Sequence, residues 1–177
     1  MHNNEETFKI DIGGGNTPRK GFKSVDKIPN SDYPVNFDGK YFRLPFEDCS
    51  VDVVYSSHTL EHIINLVSLM NEIWRVMKWG ATFEIIVPHQ ECTIAAQDPT
   101  HVRFFNAESM KYFAGEYVNK HKLNYDILCA FEIVENITTI VDDRVIGGGT
   151  FPYFREQRWV LKKDKAYFEA HKPFYIK

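Results

Sequence analysis

The stretch Phe8-Lys9-Ile10-Asp11-Ile12 alternates apolar and polar residues and then stops at three glycines, Gly13, Gly14 and Gly15. That pattern reads as a strand running into a loop. Glycines just past a strand let the backbone take a positive φ and let a bulky ligand approach the main chain without meeting a Cβ. A second strand follows at Phe22-Lys23-Ser24-Val25-Asp26. An acid at the tip of such a strand can accept hydrogen bonds from both hydroxyls of a ribose. A plain turn between two strands is the competing reading of the same glycines.

Only Gly14 to Gly21 separate the two strands, whereas parallel neighbours normally need a crossover of a dozen or more residues. Pro18 and Gly21 leave no room for a full helix, so the favoured connection is a bare loop or one turn between neighbouring strands. Asp32 to Arg43 is mixed, with a short strand expected near Val35 to Asp38. Leu44 to Ser50 turns into Val51 to Ser56, a β-branched run expected at the centre of a parallel sheet, buried on both faces. From Thr59 the apolar period becomes helical: Leu60, Ile63, Ile64, Val67, Met70, Ile73, Trp74 and Met77 share a face. Ser57 or His58 is the expected cap and Gly80 the expected stop. Thr82 to Val87 is another buried strand, which closes a right-handed βαβ unit. Gln90 to Phe105 reads as an irregular connection, and Ala107 to Tyr117 as a short helix capped by Asn106. Phe131 to Val141 and Gln157 to Leu161 read as two late strands. They are joined by Asp142 to Glu156, which holds Gly147, Gly148, Gly149 and the aromatics Phe151, Tyr153 and Phe154. No repeat or linker interrupts the chain, so one domain spanning residues 1–177 is expected.

Composition narrows the function classes. A net charge of −3 over 177 residues gives no general pull toward nucleic acid or an anionic membrane. The apolar runs are too short for a bilayer span, and Met1 to Thr7 is polar and acidic, without secretory character. Three cysteines, Cys49, Cys92 and Cys129, are odd in number and lack metal-ligand spacing, which favours reduced thiols in a cytoplasmic protein. These features point away from nucleic acid and membrane as partners, and oligomeric state is not encoded in any of them.

Taken together, the residues resemble the class I S-adenosylmethionine-dependent methyltransferases, and among them the small type 11-like forms with a truncated first helix. The pieces that carry the resemblance are Asp11-Ile12-Gly13-Gly14-Gly15, Val25-Asp26, Leu44-Pro45-Phe46 before Ser50-Val51-Asp52-Val53-Val54, Ser57-His58-Thr59-Leu60-Glu61-His62, Arg75-Val76-Met77-Lys78 before Gly80, and Val87-Pro88. The resemblance implies an α/β, Rossmann-like fold. Its central, mostly parallel seven-stranded sheet has order 3-2-1-4-5-7-6, with strand 7 antiparallel and helices on both sides. It implies S-adenosylmethionine as cofactor. Asp11 and the Gly13, Gly14 and Gly15 backbone would meet the methionine moiety, Asp26 the ribose, and the Leu44 main chain the adenine. Ser56, Ser57 and His58 would border the sulfonium. The sequence departs from the pattern at Thr17, where a third glycine is usual, at Lys78-Trp79-Gly80-Ala81, and at the adenine-binding acid, for which Asp38 is the nearest counterpart.

Methyl transfer needs a base only when the acceptor is a poor nucleophile such as a hydroxyl. His58, His62 and His101 are the candidates, since an imidazole that titrates near neutrality can take that proton. Each has a bland alternative: Glu61 and His62 bracing the helix start, His101 as a loop residue, Arg103 in a structural ion pair. His58-x-x-Glu61-His62 also resembles the Glu-x-x-Glu-His cluster with which small-RNA 2′-O-methyltransferases, together with a later histidine, hold a divalent ion. Here His58 replaces the first acid, an imidazole is softer than magnesium prefers, and the expectation is that no metal binds. The leading function is methyl transfer to a small-molecule or sugar-like acceptor. The alternatives are a non-catalytic cofactor-binding module that acts through a protein partner, and a nicotinamide-dependent oxidoreductase. Pro18 at the last glycine of the dinucleotide fingerprint and the early position of Asp26 argue against the third.

Overall fold

The computed structural model describes residues 6–40, 42–146 and 149–173. Seven strands form one sheet: β1 (Lys9–Ile12), β2 (Lys23–Asp26), β3 (Tyr33–Pro34), β4 (Val51–Ser57), β5 (Met77–Pro88), β6 (Glu132–Ile146) and β7 (Gly149–Lys162). Their spatial order is β3-β2-β1-β4-β5-β7-β6. Strands β3 to β5 pair in parallel, and β7 runs antiparallel to both β5 and β6. The order and the reversed seventh strand match the expectation.

β1 and β2 are direct parallel neighbours, with Ile12 opposite Val25, so the short connection is a loop rather than a sign of distant strands. The third strand lies two residues earlier than expected and contains only Tyr33 and Pro34. Its pairing ends as the Val35 N–H donates to the Asp26 carbonyl at 2.8 Å. Ile10, Ile12, Val25, Val54, Phe83 and Ile85 are fully buried along the central strands. The register sets all six on one face of the sheet, while Val53, Tyr55, Thr82, Glu84 and Ile86 on the other are only half-buried. The expectation that Val51 to Ser56 is buried on both faces is therefore not met: the strands alternate as in a sheet with one packed face.

The helix expected from Thr59 breaks in two. A 3-10 turn covers Leu60–His62, and α1 runs only over Leu66–Val76. Its cap is Asn65, whose side chain accepts from the Ser68 N–H at 3.1 Å; Ser57 and His58 do not cap it, because the helix starts eight or nine residues beyond them, where Asn65 offers its carbonyl oxygen to the first free N–H groups. The break turns Ile64 outward, where it is exposed. Gly80 does not stop the helix either. Met77 already has extended dihedrals and begins β5, and Gly80 sits inside that strand with φ +87.

Residues 89–131 carry α2 (Thr93–Gln97), a 3-10 turn (Ser109–Phe113) and α3 (Glu116–His121). Gly115, at φ +44, splits what the apolar spacing reads as one helix. The late strands are longer than expected: most of the connection assigned to Asp142–Glu156 is itself a paired hairpin. Gly147 and Gly148 lie outside the described residues, as do the side chains of Phe151 and Tyr153. α4 (Lys165–His171) closes the described chain, capped by Asp164, which accepts from the Tyr167 N–H at 2.9 Å.

Candidate functional site

All the parallel strands end on the same side, and the loops leaving β1, β2 and β4 converge there. Such a carboxyl edge is where open α/β sheets take their ligands. Two cavities meet at Gly13. The first, about 420 Å³, is lined by Gly13, Asp26, Lys27, Phe37, Asp38, His58, Thr59, His62, Ile63 and Thr100. The second, about 370 Å³, is bordered by Asp11, Gly14, Thr17, Arg19, Tyr55 and Ser57.

The glycine loop is fixed by its own sequence. Gly13 (φ +81) donates to the Val25 carbonyl at 2.8 Å, and Gly15 (φ +53) donates to Asp26 Oδ2 at 3.0 Å. Asp26 Oδ1 accepts from the Ile28 N–H at 3.1 Å. Each carboxylate oxygen therefore has one backbone donor and keeps acceptor capacity toward the cavity. Asp11 is buried and accepts from the Arg19 N–H at 2.8 Å. Burial raises its pKa, against the opposing pull of that N–H and the Arg19 charge. The Arg19 guanidinium lies 4.4 Å from the Tyr55 ring and 2.5 Å from Glu84, so the second cavity has a fixed positive edge.

Ser56 and Leu44 are not among the residues that line these two cavities. Ser56 is fully buried, and its Oγ donates to the Ile12 carbonyl at 2.9 Å. This bond ties β4 to β1, pointing away from either cavity lining. Leu44 is buried with both main-chain groups engaged: its N–H donates to Glu72 at 2.8 Å and its carbonyl accepts from Arg75 at 3.0 Å. Phe37 and Asp38 face the first cavity instead.

The three histidines do gather, around Glu61. His58 takes φ +52, an uncommon conformation for a non-glycine residue. Its Nε2 is 2.8 Å from Glu156 Oε1 and its Nδ1 is 3.6 Å from Glu61 Oε1. The His62 and His101 rings meet edge to face at 4.7 Å, and His101 Nε2 is 3.9 Å from Glu61. His58 and His62 line the large cavity; His101 does not, and stands behind His62. Arg103 makes no ion pair among the described residues and instead donates to the carbonyls of Ile63 and Ile64, bracing the break before α1. Phe154 packs 5.8 Å from the His58 ring.

Sequence reasoning missed Glu156, Thr100, Arg19 and Tyr55. Glu156 meets His58 because β7 sets it opposite Pro88, a pairing that needs the register of the late hairpin. Glu84 and Arg158 carried a signal: a charge within an apolar strand calls for a partner, and the two pair at 2.7 Å, Glu84 also with Arg19 and Arg158 also with Glu135.

The acids beside His58, Glu61 first and Glu156 next, hold its pKa above the usual 6.5, against the opposing effect of burial. Protonation is thus favoured in the folded chain. The stability this supplies is complete below about 6.5 and is lost as pH rises through the higher folded value. Thermal unfolding followed from pH 6 upward is expected to show a decline in melting temperature that His58→Gln abolishes. An unchanged slope in that variant would remove the assignment.

A family model described as Methyltransferase domain matches residues 17–85. A sterol 4-C-methyltransferase of Caenorhabditis elegans, strm-1, is 46% identical over 41 residues, which are 23% of this chain and 12% of that protein. A probable S-adenosylmethionine-dependent methyltransferase of Mycolicibacterium smegmatis is 30% identical over 76 residues, 41% of this chain and 30% of its own length. The chain thus spans less than a third of either curated relative. Among solved structures, the complex of the Haloferax volcanii Trm112 methyltransferase activator with a methyltransferase superposes with a TM-score of 0.58 at 17% identity, covering 89% of this chain and 82% of that one. At that identity the likeness is one of fold.

Proposed function

We propose that this chain, whose residues 17–85 match the Methyltransferase domain family model, is a class I S-adenosylmethionine-dependent methyltransferase that methylates a small-molecule or sugar-like acceptor. The observation that carries this reading is the pair of cavities meeting at Gly13. The first suits an adenosine, with Asp26 for the ribose hydroxyls and Phe37 and Asp38 beside the base. The second suits an amino acid, with buried Asp11 for the ammonium and the Arg19 edge for the carboxylate. Leu44 remains a candidate for adenine contact only if Glu72 releases its N–H. Ser57 borders the amino-acid cavity and His58 the nucleoside cavity, so the sulfonium belongs between them.

Transfer is a displacement at the methyl carbon, and the chain contributes alignment and exclusion of water. His58 is the acceptor's base in this reading, with His62 on the same cavity wall and His101 packed behind His62. The Glu61 and Glu156 carboxylates favour the imidazolium that forms once the acceptor proton is taken.

A second reading has one observation in its favour: a methyltransferase of the same fold was solved bound to an activator protein. In that reading the chain binds the cofactor but acts through a partner. Calorimetric titration with S-adenosylmethionine, S-adenosylhomocysteine and NADH separates the classes. Micromolar binding of the two methionine ligands and none of NADH is the expected result. Failure of both methionine ligands to bind would overturn the proposal. Binding without turnover across a panel of hydroxyl and amine acceptors would favour the partner-dependent reading.

A further inference from the structure

Glu61 is 2% exposed, and neither of its carboxylate oxygens has a hydrogen-bond partner among the described residues. A buried carboxylate with no hydrogen bond is a costly arrangement for a fold to hold, and here only the His58 charge is set against it. The groups it faces are imidazoles: His58 at 3.6 Å and His101 at 3.9 Å. One ligand atom from each of Glu61, His62 and His101 lies within 4.8 Å of the others.

The tautomers of the two histidines can be read from what they touch. His101 Nδ1 is 2.8 Å from the Ala95 carbonyl, which only accepts, so Nδ1 carries the proton. Nε2 is left with its lone pair on the Glu61 side. His62 Nδ1 faces the Thr100 carbonyl at 3.3 Å and the Thr100 Oγ1 at 3.0 Å. That hydroxyl spends its own proton on Asp98 at 2.6 Å, so both neighbours of Nδ1 act as acceptors. His62 therefore donates from Nδ1 and keeps its Nε2 lone pair free. A ligating histidine is oriented this way, with the far nitrogen held by a carbonyl or a carboxylate-linked group.

We propose that Glu61, His62 and His101 bind one divalent first-row transition ion through a glutamate oxygen and the two Nε2 atoms. Two imidazoles and one carboxylate are a donor set for zinc, cobalt or iron rather than magnesium. His62 and Thr100 line the large cavity, so the unfilled coordination position is on that side, next to the proposed acceptor space. Ligand atoms on an ion at about 2.0–2.1 Å sit roughly 3.4 Å apart; binding draws the three side chains together by about an ångström, with the more exposed His62 moving most. The proposal does not depend on methyl transfer, and its test uses no cofactor.

The full chain, stripped with a chelator, is titrated with cobalt(II) alone and read by its visible absorption, then back-titrated with zinc(II). Saturation at one cobalt per chain and its displacement by zinc are expected. His62→Gln and His101→Gln should each weaken cobalt binding at least about tenfold, and Glu61→Gln more. Cys49→Ser, which removes the exposed thiol, should leave it unchanged. Absence of a cobalt band up to about 1 mM, or affinity unchanged in both histidine variants, overturns the site. Loss of binding in Cys49→Ser would assign the ion to the thiol and also overturn it. Circular dichroism checks that each variant folds; if Glu61→Gln does not, the two histidine variants decide.

Discussion

Asp26→Ala weakens S-adenosylmethionine and S-adenosylhomocysteine binding at least about a hundredfold in the calorimeter, while the chain stays folded. The expectation follows from lone-pair capacity. Each Asp26 oxygen accepts one backbone N–H, from Gly15 or Ile28, and has room for a hydroxyl besides. Two hydrogen bonds to a charged carboxylate, lost together, amount to about 3 kcal/mol or more. The alanine also frees the Gly15 N–H, so part of the loss would come through the loop. Asp26→Asn separates the two effects, because it keeps one carbonyl acceptor and the side-chain shape. Its affinity should fall between wild type and alanine, near a tenfold loss. Equal affinity in wild type and Asp26→Ala would remove the ribose from this carboxylate and require a different placement of the nucleoside.

The second large effect is steric. A Cβ built on Gly13 would lie 1.9 Å from Thr59 Oγ1 and 2.4 Å from Thr59 Cγ2, on a backbone with φ +81. Gly13→Ala is expected to destabilise the chain by roughly 3–5 kcal/mol, combining overpacking with left-handed strain, and to abolish cofactor binding. Denaturant unfolding measures the first and titration the second. The two contributions can be separated, since Thr59→Gly removes the colliding side chain and leaves the strained φ. In the double variant the steric part should return, leaving a deficit of about 1–2 kcal/mol from the backbone alone. A fully additive pair would mean that Thr59 is not what Gly13 avoids. Thr59 opens the 3-10 turn that carries Glu61 and His62, so the missing Cβ lets the glycine loop sit directly against the residues that bear the titratable cluster.

What could be read in advance follows the range of each signal. Strand positions along the core were legible because β-branched runs such as Val51 to Val54 mark a strand locally, although of these four only Val51 and Val54 are buried. The glycine loop and Asp26 were legible because their chemistry lies within eighteen residues of Phe8 in the chain. Helix ends were not: the apolar period continues through Ile63 and Ile64, while the Asn65 cap and the Arg103 bonds to those two carbonyls end the first turn. Periodicity records which face is apolar but not where hydrogen bonding changes partner. The histidine cluster was half legible. His58, Glu61 and His62 share one segment, but the third imidazole and the second acid arrive from positions 101 and 156. The partners of the Leu44 main chain were not legible for a similar reason, since Glu72 and Arg75 sit on α1.

The sheet order also fixes when the molecule can be completed during synthesis. β5 has no partner on its outer edge until β7 arrives, and β7 is made after β6, the strand it separates from β5. The carbonyls of Trp74 and Met77, at the end of α1, wait for the same segment, since both accept from Lys163 Nζ at 2.7 Å. A nascent chain leaving the ribosome therefore carries the parallel half of the sheet beside a bare strand edge for as long as translation needs to reach residue 163. Open edges of that kind pair readily with other chains. In the cell, the interval between making β5 and docking β7 is the period in which this protein is most exposed to aggregation and most in need of a chaperone.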